Sequence, residues 1–306
     1  MRSGAQKTGT QEQPDQKGSD ARSMRRREFL TGLAATSVLP LPSARAQSTR
    51  SVRRLAVLMG YDEADREAQD RVAAFNASLR ELGWTPGGNL NVAYRWASGE
   101  AAKTTAYASE LLDAKPDVVV ASTTAVTRVL LSATKVTPIV CLSVSDPVGD
   151  GFIRNLSRPG GNATGFTNLE RSLSGKWVDL LSETVPLRRV AALFNPATAA
   201  QQGQYYWLPF ERSASKASLE PVAMPVQSDA EIDTVLASAA SVARTGLVVM
   251  PDLFTVRYRR RIIAAAASYH LPAIYPYRYF AREGGLLGYG IDLMDQYLSL
   301  RALRRC

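Results

Sequence analysis

The sequence predicts an α/β protein built as two lobes, each a doubly wound parallel sheet, and three observations predict it. From residue 53 onward, short continuous apolar runs alternate with stretches whose apolar residues recur every three or four positions, the pattern of parallel strands buried on both faces by crossover helices. That rhythm restarts after the glycine-rich stretch Arg158-Pro159-Gly160-Gly161-Asn162-Ala163-Thr164-Gly165. The length, 306 residues, suits two domains once a leader is set aside.

The elements follow in order. Residues 55–59 form the first strand, and Ala68, Val72, Phe75, Leu79 and Leu82 make one helical stripe that ends at Gly83. A second strand is expected at 92–96, a helix at 103–114, a strand at 117–121 after Pro116, a helix at 125–133 and a strand at 138–142. Beyond the glycine-rich stretch come a helix at 173–183 and strands at 189–194, 220–225, 246–250 and 272–275, separated by helices near 205–218, 230–243 and 255–269. The domain plan is a leader at 1–46, a first lobe at 47–163, a second at 164–283, and a return crossing at 284–306.

The leader reads as an address. Met24-Arg25-Arg26-Arg27-Glu28-Phe29-Leu30 precedes a short, weakly apolar run and the small-residue site Ala44-Arg45-Ala46, the layout of a secretory signal with the paired arginines read by the Tat export machinery. The apolar run is too short for the ~20 residues of a membrane span. Met24 is then a candidate start, cleavage falls near Ala46, and Gln47 offers no cysteine for a lipid anchor, so a periplasmic location is expected.

Charge and composition exclude several classes. The net +9 is concentrated at the ends: residues 1–46 carry eight Lys or Arg against four acids, and Arg301, Arg304 and Arg305 close the chain, leaving +2 for the body. No basic stripe interleaved with aromatics appears there, so nucleic acid is not an expected partner. Cys141 and Cys306 have no metal or redox spacing, His270 is the single histidine with no nucleophile elbow, and no Gly-x-Gly-x-x-Gly follows the first strand. No cofactor or metal and no catalytic group are expected.

Ligands of open parallel sheets bind beyond the carboxyl ends of the strands, where helix N-termini present free N–H groups. The residues placed there are Tyr61, Ser122, Thr123, Thr124, Ser145 and Asp146 in the first lobe, and Asn195, Asp252 and Tyr275 in the second, with Tyr289 in the return crossing. Hydroxyls, amides, single carboxylates and tyrosines suit a polar, partly apolar solute. Each has a blander role as well: the 122–124 hydroxyls can cap a helix, and Asp146 before Pro147 can start a turn. An exported enzyme on the same scaffold would draw its acid or base from Asp146 or Asp252.

Several of these segments carry a resemblance. Residues 55–61, Glu81-Leu82-Gly83-Trp84, Lys115-Pro116-Asp117, 143–152, 158–168 and Tyr289-Gly290-Ile291-Asp292 resemble the ABC transporter substrate-binding family of tryptophan/tyrosine-type uptake proteins, with Ser145-Asp146-Pro147-Val148-Gly149 the most specific piece together with the 158–165 stretch. The resemblance implies the type I periplasmic-binding fold, capture of an amino-acid-like and possibly aromatic solute between closing lobes, and delivery to a membrane permease and its ATPase, the only contact with the membrane. Family members usually continue through another strand and helix, so the ending Leu303-Arg304-Arg305-Cys306 resembles a truncation. Transcription repressors share this core, but need a DNA-binding segment where the export signal stands.

Overall fold

The computed structural model describes residues 52–168 and 170–299. The export signal at 1–46 and the ending at 300–306 lie outside the described residues.

The first lobe contains β1 (Arg53–Met59), α1 (Arg66–Glu81), β2 (Leu90–Trp96), α2 (Ala101–Asp113), β3 (Val118–Ser122), α3 (Thr124–Ala133), β4 (Ile139–Val144) and β5 (Ala163–Thr167). Its sheet has the order β2-β1-β3-β4-β5, parallel throughout. Successive side chains of a strand face opposite sides. Leu55, Val57 and Met59 therefore join Phe75 of α1 in one core, while Ala56 and Leu58 join Val126 and Leu130 of α3 in another. Phe75 is 3 % exposed, and hiding a side chain of that size contributes roughly 2 kcal/mol.

The second lobe holds α4 (Leu173–Thr184), β6 (Arg189–Phe194), α5 (Gln204–Lys216), β7 (Glu220–Pro225), α6 (Glu231–Ala240), β8 (Thr245–Val249), α7 (Leu253–Arg257), α8 (Arg259–Ser268), β9 (Ala273–Tyr275), α9 (Arg278–Arg282) and β10 (Leu287–Gly288). The sheet runs β10-β9-β8-β6-β7, the same winding as the first. The chain then returns to the first lobe, where α10 (Met294–Leu298) packs on α1 and β4. Gln296 ties it down, accepting from Ser143 N–H at 2.8 Å and donating to Thr167 C=O at 2.9 Å.

Three features depart from the pattern read in sequence. The residues on either side of 163/164 both lie in β5, so the change of sheet comes after Thr167. Gly165 marks a close approach between strands: a Cβ there would stand 2.1 Å from the Cys141 carbonyl oxygen. The single helix expected at 255–269 is two, because Asp252 caps a start at Leu253 and the backbone breaks at Tyr258 (φ −97°, ψ 16°). Finally, α9 and β10, five and two residues long, are too short to display a period.

Candidate functional site

The carboxyl ends of both sheets face each other. Between them lies a chamber of about 30 Å3 lined by Tyr61, Thr123, Thr124, Ser143, Ser145 and Asn168 from the first lobe, and by Thr198, Asp252 and Tyr277 from the second. A larger groove of about 370 Å3 lies alongside, sharing Tyr61 and Leu253 and bounded by Asp65, Ser98, Arg257 and Arg259. About 30 Å3 suffices for roughly one water molecule, so any larger guest requires the lobes to stand further apart than they do here.

The backbone at this chamber is strained in two places. Thr123 holds φ 100° and ψ 156°, a region almost reserved for glycine, and Ser143 holds φ 56°. Thr123 is nonetheless the N-cap of α3, its Oγ1 accepting from Val126 N–H at 3.5 Å. Gly60 lets β1 pass beside it, since a Cβ there would come within 2.6 Å of Thr123 Oγ1. Strain of about 1–3 kcal/mol per residue persists only where surrounding packing enforces it, and it clusters at ligand clamps.

Asp252 is 7 % exposed and occupied on both oxygens. Oδ1 accepts from Thr255 N–H and Thr198 Oγ1 at 2.9 Å each, and Oδ2 from Asn195 N–H at 3.1 Å. Burial pushes its carboxyl up to about 6, against the lowering effect of those hydrogen bonds. The cap role and the wall of the chamber are thus one residue. Buried polar atoms around the chamber remain without hydrogen-bond partners, among them Ser143 Oγ and Asn168 Oδ1, although Asn168 Nδ2 donates to Tyr277 Oη across the cleft at 2.7 Å.

Of the residues chosen from sequence, Tyr61, Thr123, Thr124, Ser145 and Asp252 line the chamber. The others stand elsewhere. Ser122 lies behind it, its hydroxyl 2.8 Å from Tyr297 Oη. Asp146 accepts from Gly149 N–H at 2.8 Å and from Gln201 Nε2 of the second lobe at 2.5 Å, a bridge between lobes outside the chamber. Asn195 braces its own loop, accepting from Ala197 N–H and donating to Gln227 C=O. Tyr275 is core, stacked on Phe280 at 5.3 Å. Tyr289 is 43 % exposed, and only its backbone is engaged, accepting from Trp177 Nε1 and donating to Tyr275 C=O. The chamber also takes in Ser143 and Tyr277, which stand in the strand-end runs 143–147 and 276–279, and Asn168 and Thr198, which the sequence does not single out. Asn168 follows a strand end, the same signal that points to Thr123, but β5 straddles the 163/164 boundary expected from sequence and carries no apolar run to announce it.

Charged residues fasten the cleft's rim. Arg259, 4 % exposed, pairs across the cleft with Asp65, the cap of α1, and within its own lobe with Glu283 at 3.0 Å. Burial pulls its pKa down, but Asp65 and Glu283 leave it raised overall. Arg282 reaches Glu67 at 2.9 Å, and Arg257 donates to Ser98 C=O. His270 is exposed beyond α8 and lines none of the chamber. Among the described residues no group of His, Cys, Asp or Glu could hold a metal ion, and no helix is long and apolar enough to cross a membrane.

Two like-wound parallel sheets meeting at a shared cleft define a two-lobed ligand-binding protein of the type I periplasmic-binding fold. The chain belongs to the ABC transporter substrate binding protein family, whose sequence profile matches residues 65–298. A tyrosine-binding protein of Clostridioides difficile is 23% identical over 223 residues, which are 71% of this chain and 62% of that relative; the chain thus spans less than two thirds of the relative's length. Among solved structures, a conserved domain protein of Vibrio cholerae superposes with a TM-score of 0.76 at 22% identity, covering 83% of this chain and 84% of the other. A Streptococcus pneumonia ABC domain in complex with L-Trp gives 0.75 at 20% identity with the same coverage. The lac repressor dimer shares the fold at 0.55 and 13% identity, over 84% of this chain and 86% of the repressor.

Proposed function

We propose that the chain is the solute-capturing component of an ABC importer, exported through the twin-arginine route to the periplasm, where it closes on an amino-acid-like solute and presents it to a permease and its ATPase. The observation that carries the reading is the chamber to which both lobes contribute polar side chains from strand ends. A guest touching Tyr61, Thr123 and Ser145 on one side and Thr198, Asp252 and Tyr277 on the other favours the closed form by the contacts it makes only there. No bond needs to form or break. Aromatic amino acids are the first class to try, in keeping with the tyrosine named for one relative and the L-Trp bound by another.

The purified full chain is to be screened by thermal shift against aromatic and branched amino acids and related solutes. A saturable rise in melting temperature with one class supports capture, and melting indifferent to a broad panel counts against it. A second reading, an exported enzyme, draws on Asp252, whose carboxyl near 6 lies in the chamber wall. Its three hydrogen bonds hold it as a cap, so turnover of a bound solute, abolished by Asp252→Asn while binding persists, is what that reading requires.

A further inference from the structure

Arg71 stands on the buried face of α1, 2 % exposed, among Ala68, Val72 and Phe75. Its guanidinium carbon lies 5.0 Å from the ring centre of Tyr61 and 5.5 Å from that of Tyr279, so aromatic faces from the two lobes meet the cation. Such contacts meet its faces, and the Tyr279 hydroxyl adds a polar contact, yet neither supplies a counter-charge. Nη1 is buried with no hydrogen-bond partner, and among the described residues no carboxylate pairs with Arg71.

The surroundings sharpen the imbalance. Arg71 looks into a void of about 20 Å3 between α1, α9 and the segment leading to α10, shared with Glu67, Arg278, Arg282 and Asp292. Arg282 is matched to Glu67 at 2.9 Å and Arg278 to Asp292 at 2.5 Å. Three arginines thus face two carboxylates, and Arg71 is the one left over. A guanidinium cannot shed its proton, and a buried cation without a counter-charge is costly. Tyr279 belongs to the second lobe, so Arg71 is sealed off by closure itself, and Tyr61 joins it to the chamber.

We propose that Arg71 is the anion-binding residue of the cleft, taking one negative charge of carboxylate type that the captured solute supplies. This rests on the solute-capture reading for the source of the anion but not for the site. Cationic and neutral solutes would close the lobes over an unpaired charge, and the cleft would discriminate against them.

The test is calorimetric titration of the full chain with matched pairs: L-tyrosine and tyramine, L-tryptophan and tryptamine, benzoate and benzyl alcohol, acetate and acetamide. Each acid is expected to bind at least about tenfold tighter than its partner. Arg71→Met should erase that preference and Arg71→Lys retain part of it, with circular dichroism confirming that each variant folds. Should Arg71→Met not fold, Arg71→Gln carries the same comparison. A preference unchanged in the neutral variants, or acids and partners bound alike by the unaltered chain, overturns the proposal. Competition between acetate and a bound amino acid assigns the charge to the solute's own carboxylate. Independent, additive binding that still needs Arg71 keeps the anion site and overturns its assignment to the solute. If only acetate binds, and only with Arg71 present, the site stands while solute capture loses its support; if no acid binds at all, the proposal falls.

Discussion

Replacing Asp252 by asparagine separates its charge from its shape. The carboxyl titrates near 6 in the folded chain against an ordinary 3.8, and a gap of that size corresponds to about 3 kcal/mol between its two protonation states. Because the folded pKa is the higher, the folded chain binds the proton more tightly. The associated stability is fully present below about 3.8 and is lost as pH rises through about 6. Acidifying from about pH 7 to about pH 4.5 should therefore add roughly 2 kcal/mol from this residue, or roughly 4–8 °C in Tm for a body of this size. Asparagine cannot titrate, so that increment disappears. At neutral pH the variant gains by hiding no charge but turns an amide N–H2 toward a donor, either Asn195 N–H or the Thr198 and Thr255 pair, at a cost of about 1–3 kcal/mol, and the two effects nearly cancel. Thermal melts of both proteins across this pH range isolate the residue, since every other titrating group is common to them. Parallel Tm-against-pH curves for the two would refute the reasoning.

Three further outcomes are expected. Arg259→Met removes the latch to Asp65 and should let the lobes part, enlarging the radius of gyration in solution scattering; unchanged dimensions would deny the latch its role. Gly165→Ala drives a Cβ into the Cys141 backbone and should lower stability by roughly 3 kcal/mol in urea unfolding, whereas a neutral result would mean that β4 and β5 can part freely. Burial pushes the Cys141 thiol up to about 11, so in a Cys306→Ser background it should resist a thiol reagent near neutral pH until the chain is unfolded. Rapid labelling of the folded protein would contradict that burial.

Much of the architecture is written in the residues themselves. Leu55, Val57 and Met59 lie in an unbroken apolar run because both faces of β1 are covered, and α1 shows its stripe because only one face is. What stayed hidden depended on partners distant in sequence. β5 contains Gly165 and polar threonines, which alone read as linker; its strand character comes from hydrogen bonds to β4. The site divides the same way. Strand-end position pointed to Tyr61, Thr123 and Ser145, but nothing local tells Tyr277, which faces the chamber, from Tyr275, which faces the core. Two positions along the chain should put both on one side of a strand, yet β9 ends at Tyr275 and the backbone turns before Tyr277. Arg71 was invisible for the opposite reason: it occupies a place in an apolar stripe where a charge is unexpected, and only the tyrosines around it explain its tolerance there.

The return of α10 has a consequence for how the molecule is made. Tyr297 meets Ser122 across 175 positions of sequence, and Gln296 closes on Ser143 and Thr167, so a ribosome has delivered the whole of the second lobe before the first can be finished. Until then Ser122, Ser143 and Thr167 lack the partners that residues 296 and 297 bring them.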